Sequence, residues 1–298
     1  MPSWDVVCTV KAPKEQVESF VSHYLALGAS RIFLWYDDPA FSYSFDDARV
    51  QVMTASPEQL ANRPRDIETR QIRNATTSAR ESQSQWILHC DIDEFLDPNR
   101  PMAEILAETP PECLSIVIRT IEPVYREVPR THADILAADL FKMPGRPENT
   151  RRFWAAAYGD VAAFSDEGFW AHRVGKSISR LSVLERFNKL PLHRFFRAKG
   201  DAVGVVKASD MFLRHFDALD FEAWLQKHSQ RVTGLVHAPL AGPLRDRQSQ
   251  YIHQVYTEQG LDAAFDLYSR MMVFPERMIA RGIKRGLLAE RKPLSQAE

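Results

Sequence analysis

The apolar run Trp86-Ile87-Leu88-His89-Cys90 ends in Asp91-Ile92-Asp93-Glu94. Two carboxylates one residue apart, delivered by a buried strand into a turn, make half of a site for a hard divalent cation. Mg²⁺ and Mn²⁺ take oxygen ligands and keep water or substrate phosphates in the rest of the shell, so a diphosphate completes such a site. An acidic strand end also caps helices and holds turns. Three acids after a wholly apolar strand repel one another unless a cation stands among them, however, which favours the metal reading with Asp91 and Asp93 as ligands. An EF-hand is excluded, because Phe95 and Leu96 stand where its loop needs Asp or Asn and then Gly. A metal-dependent phosphatase also places D-x-D after a strand, but normally with Thr or Val where Phe95 stands. It is kept as a remote alternative.

A second acidic pair, Asp37-Asp38, ends the compact apolar run Arg31–Tyr36 and precedes Pro39. It reads either as a chain reversal or as a contact to a nucleoside. The elements that position both pairs follow from periodicity. Trp4, Val6, Cys8 and Val10 alternate as in a strand. Pro13 opens a helix on which Val17, Phe20, Val21, Tyr24 and Leu25 recur, and Gly28 stops it. Arg49–Met53 reads as a further strand, and 64–84 as polar and helix-compatible. A helix from about Met102 to Ala107 follows, then a β-rich run from Cys113 to Arg119. This alternation predicts an α/β fold with a mostly parallel sheet flanked by helices, whose ligand loops lie at the carboxyl ends of the strands. Residues 121–200, rich in Pro, Arg and aromatics, read as long loops over the site. From Phe221 onward the pattern is helical.

The chain has 298 residues, 45% hydrophobic, with a formal net charge of -1, which speaks against wrapping nucleic acid. No run approaches the roughly 18 apolar residues that cross a bilayer, and the amino-terminal residues lack the pattern of a secretory signal. Cys8, Cys90 and Cys113 lie in apolar runs without metal-ligand spacing, as buried reduced thiols of a cytoplasmic protein would. The tail 275–288 mixes cations with apolar residues at helical spacing. It fits a packed surface helix or a peripheral contact with the inner face of a membrane.

Taken in order, these features resemble the family 2-like glycosyltransferases, in particular a branch close to glycosyltransferase family 92 that carries a D-I-D-E-F motif, here Asp91–Phe95. Leu34-Trp35-Tyr36-Asp37-Asp38 is similar to that branch's second strand, and His23–Ala29 to the end of its first helix. Arg73-Asn74 matches an Arg-Asn pair upstream of the metal motif, and Gly175-Lys176-Ser177-Ile178 a later strand. Leu213-Arg214-His215-Phe216-Asp217, followed by Phe221–Lys227, matches a late His segment. The first strand ends in Lys11-Ala12-Pro13 where such proteins often have Arg-Asn-Glu.

The resemblance spans about residues 4 to 230. It implies a GT-A-like domain over 1–230 with a helical C-terminal extension over 231–298. It further implies transfer of a sugar, with inversion, from a nucleoside-diphosphate sugar to a glycan or glycoconjugate acceptor, dependent on Mn²⁺ or Mg²⁺. Asp91 and Asp93 would hold the cation, with His215 as third ligand and His193 as a weaker substitute. Asp37 or Asp38 would contact the nucleoside, Arg73 and Lys176 the diphosphate, and Asn74 and Lys11 are placed with them as donor contacts. An inverting transferase also needs a carboxylate base. Asp166 and Glu167, flanked by Phe164, Phe169 and Trp170, are the candidates. A sugar-nucleotide-binding protein without catalysis is the other alternative.

Overall fold

The computed structural model describes residues 1–37, 42–144, 147–193, 204–217, 220–238 and 242–294. β1 (Trp4–Val10) is buried along its whole length. α1 (Lys14–Ala26) begins after Pro13 and buries Val17, Phe20, Val21 and Tyr24. β2 (Arg31–Tyr36) and β3 (Val50–Met53) follow. α2 (Pro57–Ala61) is opened by a capping box between Ser56 and Gln59. α3 (Ile67–Glu81) starts where the Asp66 carboxylate accepts the Thr69 N–H at 2.8 Å. β4 (Trp86–His89), β5 (Glu94–Pro98), α4 (Met102–Glu108) and β6 (Cys113–Val124) come next.

The loops expected over 121–200 are a correction, because much of that stretch is regular. It holds α5 (His132–Leu136), β7 (Leu140–Lys142), α6 (Pro147–Tyr158), a 3₁₀ segment at Gly159–Phe164, β8 (Lys176–Arg180) and α7 (Val183–Phe187). The physical reason lies in the aromatics. Trp154 and Tyr158, one helical turn apart, stack at 5.8 Å, and Tyr158 meets Trp170 edge-on at 4.6 Å. Burial of that cluster fixes a helix whose Ala, Arg and Glu residues favour it locally. β9 (Gly204–His215), α8 (Phe221–Val232), α9 (Gly242–Gln259), α10 (Leu261–Met272), α11 (Glu276–Lys284) and β10 (Leu288–Glu290) complete the chain. The helical C-terminal region is thus as expected.

The chain forms two compact units. The first, residues 1–119 and 174–213, carries strands in the order β3-β2-β1-β4-β8-β6. β3, β2, β1 and β4 run parallel, and β8 is antiparallel to both β4 and β6. This is the α/β class expected from the alternation of elements. On one sheet face Trp4 packs edge-on against Tyr24 of α1. On the other, Val7, Phe33, Trp35 and Ile87 meet Ala75 and Ala79 of α3. Each large apolar side chain buried this way contributes about 1.5–3 kcal/mol. The small residues Ala75, Ser78 and Ala79 let α3 lie close to the sheet, and Ser78 accepts the Trp35 indole N–H at 2.8 Å. The second unit, residues 120–173 and 214–294 of those described, holds β7 between the end of β6 and β10, all antiparallel. Its helices bury Trp224 and Tyr268 against each other at 5.2 Å.

Among the described residues no helix is long and apolar enough to cross a membrane. All three cysteines are buried and free.

Candidate active site

In the first unit the parallel strands β2, β1 and β4 present their carboxyl ends side by side. The Cys90 N–H donates to the Val7 carbonyl at 3.1 Å and the Asp37 N–H to that of Val10 at 2.8 Å. Past the end of β4 the chain closes on itself. The Asp91 N–H donates to Glu94 Oε2 at 2.8 Å, and the Glu94 N–H to the Asp91 carbonyl at 3.0 Å. Asp91 and Asp93 are half-buried on this turn, whereas Glu94 is wholly buried.

The cation among these acids is Lys176. It enters on β8, the antiparallel neighbour of β4, and its Nζ lies 2.7 Å from Asp91 Oδ2 and 3.4 Å from Glu94 Oε2. The other Asp91 oxygen accepts the Gln71 amide at 2.5 Å. Burial alone would depress the ammonium, but Asp91 and then Glu94 outweigh it and hold the Lys176 pKa above the ordinary lysine value. His89, buried first and then facing that cation, is pushed down to about 3 and stays neutral. Gly175 makes the approach possible: its φ is +73°, and a Cβ there would collide with the Ile118 carbonyl oxygen.

The second acidic strand end faces a cleft. Asp37 accepts two hydrogen bonds from Arg70, at 2.8 and 2.9 Å, and pairs with Arg63. Asp37, Arg63, Arg70, Arg73 and Asn74 line the same open cleft, so three of the expected donor contacts, Asp37, Arg73 and Asn74, are brought together. Arg73 is exposed, and the Asn74 amide donates to Thr9 Oγ1 at 3.0 Å. Lys11 is exposed one residue beyond β1. Asp38 lies outside the described residues. Helix α3 joins the two acidic ends: Arg70 holds Asp37, Gln71 holds Asp91 and Asn74 holds β1. Arg63, Arg70 and Gln71 were missed in the sequence, where helix-compatible polar residues carry no mark of what they face.

His193 belongs to the first unit, its Nδ1 3.1 Å from the Gly175 carbonyl oxygen. His215 belongs to the second. It is buried at the end of β9 with its ring 5.0 Å from that of His172, and it lines a small pocket with Glu122, Lys142, Trp170 and Asp217. Asp217 is held far below the usual carboxylate range: burial would raise it, but Arg245 and Lys227 prevail. Asp166 and Glu167 sit on a turn in which Glu167 has φ 51° and Gly168 φ 93°. Both carboxylates pair with Arg173, Asp166 at 3.0 Å.

Asp91 and Asp93 offer only hard carboxylate oxygens, half open to solvent, so the donor set suits Mg²⁺ or Mn²⁺ in kind. The arginine-lined cleft offers N–H donors for phosphate oxygens.

No family model matches this chain, and no curated protein is similar to it. Solved structures give distant matches. A glycosyltransferase involved in the glycosylation of the major capsid of PBCV-1 is 16% identical, over 39% of this chain and 51% of its own, with a TM-score of 0.23. This chain thus spans about half the length of that one. TarS residues 1–349 from S. aureus are 10% identical over 86% of this chain and 72% of theirs, with a TM-score of 0.38. HddC from Yersinia pseudotuberculosis is 9% identical over 75% of this chain and 99% of its own, with a TM-score of 0.38. Likeness at this level assigns no activity to the present chain.

Proposed function

We propose that this protein is a glycosyltransferase of GT-A type that takes a sugar from a nucleoside-diphosphate donor and passes it, with inversion, to a glycan or glycoconjugate acceptor. The observation that carries the reading is the placement of two acidic strand ends under one helix: α3 contacts both Asp37 in the arginine-lined cleft and Asp91 on the acid turn. The D-I-D-E-F resemblance supports the same reading from the sequence.

In this reading Asp37, Arg63 and Arg70 form a fixed frame for the nucleoside. Arg73, Asn74 and Lys11 donate hydrogen bonds to the donor, and Lys176, held behind Asp91, adds positive charge on the side of the diphosphate without touching it. Asp91 and Asp93 would hold Mn²⁺ or Mg²⁺. When bound, such an ion offsets the charge that builds on the leaving diphosphate. Asp166 or Glu167 takes the proton of the acceptor hydroxyl. The exposed Arg277, Arg281 and Lys284 of α11 offer a peripheral contact with an anionic membrane.

The test is a thermal-shift screen of nucleoside diphosphates with and without Mn²⁺, paired with donor hydrolysis. A ligand bound only by the folded chain raises its apparent stability. At least one nucleoside diphosphate is expected to raise Tm in the presence of Mn²⁺. Asp91→Asn should abolish that rise. No shift with any nucleotide overturns the reading. Binding without turnover leaves a sugar-nucleotide-binding protein, and turnover of a generic phosphomonoester a phosphatase.

A further inference from the structure

Asp91 has two oxygens, and each already accepts an N–H donor: Gln71 at 2.5 Å and Lys176 at 2.7 Å. The Lys176 side chain is 1% exposed, whereas that of Asp91 is 28% exposed. The ammonium therefore lies behind the carboxylate, away from solvent, and also faces the wholly buried Glu94. A divalent cation coordinated by Asp91 would come within a few ångströms of a fixed positive charge. In a half-buried setting that repulsion is screened far less than in water.

We propose that Lys176 is the resident counter-cation of the acid turn and competes with a divalent cation for Asp91, so that this lysine sets the metal affinity of the site. The inference rests on the reading that Asp91 and Asp93 take the cation, and it goes beyond it in two respects. The Lys176 ammonium offsets part of the charge of Asp91 and Glu94 without metal, so the turn is held together in the absence of an ion. Metal alone enters weakly, because each ion must share or displace the ammonium. Gly175 holds the arrangement in register by bringing β8 against β6, where a side chain would keep them apart.

The test is a titration of the metal-free full chain with Mn²⁺ alone, followed by loss of the free-ion electron paramagnetic resonance signal. Three chains are compared: wild type, Lys176→Gln, and the double variant Lys176→Met with Glu94→Gln. The double variant removes the buried charge pair as a unit and is the safer folder, since breaking one side of such a pair strands the other charge. Circular dichroism checks the fold of each. Lys176→Gln is expected to bind Mn²⁺ at least about tenfold more tightly than wild type, the double variant more tightly than wild type by a smaller factor because it also loses the Glu94 charge, and adding Asp91→Asn should cancel either gain. Equal or weaker binding in the variants, with Asp91→Asn still weakening it, overturns the competition and leaves the metal reading standing. No binding by any chain up to millimolar Mn²⁺ overturns both. Where Lys176→Gln does not fold, the double variant decides alone.

Discussion

Lys176 in the first unit and Lys142 in the second are both 1% exposed, and each meets a carboxylate, Asp91 at 2.7 Å and Glu122 at 2.9 Å. Their partners differ. Glu122 is 3% exposed and is closed by further donors, the Trp170 N–H at 2.9 Å and the Ala171 N–H at 2.6 Å. Lys142 is further enclosed by the rings of Tyr158, Phe169 and Trp170 at 5.5–5.9 Å. Asp91 is 28% exposed at a strand end. The same kind of ion pair is therefore a closed cross-brace where both partners are sealed, and remains reachable from solvent where one partner is open. Burial of the carboxylate, and not of the lysine, separates the two cases.

The sharpest way to break this comparison is to neutralise each carboxylate isosterically. Glu122→Gln strands a buried ammonium and should lower unfolding stability by about 3–5 kcal/mol. Asp91→Asn should cost about 1 kcal/mol or less, because water reaches the position and Glu94 still faces Lys176. Urea unfolding of both variants measures the difference. Equal losses would mean that the turn is a brace as well.

A smaller effect comes from two neutral histidines, one in each unit. Burial first, and then Lys176 for His89 and Arg245 for His228, hold both below the ordinary histidine value. The unfolded chain then binds protons that the folded chain refuses. Stability from these groups is complete above about pH 6.5 and falls as pH drops, at roughly 1.4 kcal/mol per pH unit per histidine, for His89 down toward about 3. His89→Leu and His228→Leu should each flatten the slope of stability between about pH 6.5 and 5. An unchanged slope in either variant would remove that histidine from the account.

The smallest effect is expected at Arg173. Its pairs with Asp166 and Glu167 are 31–43% exposed on the carboxylate side. Arg173→Ala should therefore shift stability by no more than about 1 kcal/mol, while altering acceptor turnover where those carboxylates supply the base. Thermal denaturation run beside an activity assay separates the two roles.

Much of the first unit was legible in the sequence because its elements carry strong periods. β1 alternates, α1 repeats at helical spacing, and β2 and β4 are compact apolar runs with acids at their ends. The acid turn was legible for the same reason. The partners of its carboxylates were not. Lys176 lies 85 positions from Asp91, and no local spacing encodes that pairing. Gln71 looks like any polar residue of a helix until the helix is docked on the sheet. The second unit was harder still: α6 is rich in Arg and aromatics and takes its stability from tertiary burial, and β7 and β10 have three residues each, too few for a period to show.

The constraint at Gly175 has a consequence for recognising kindred chains. Every other residue at that position would carry a Cβ into the Ile118 carbonyl, so substitution there is sterically closed. A glycine followed at once by a lysine, at the start of a strand that runs opposite an apolar strand ending in D-x-D-E, is therefore a compact search signature. It joins two short words far apart in sequence through one steric fact, and it can single out chains whose overall identity has fallen too low to align.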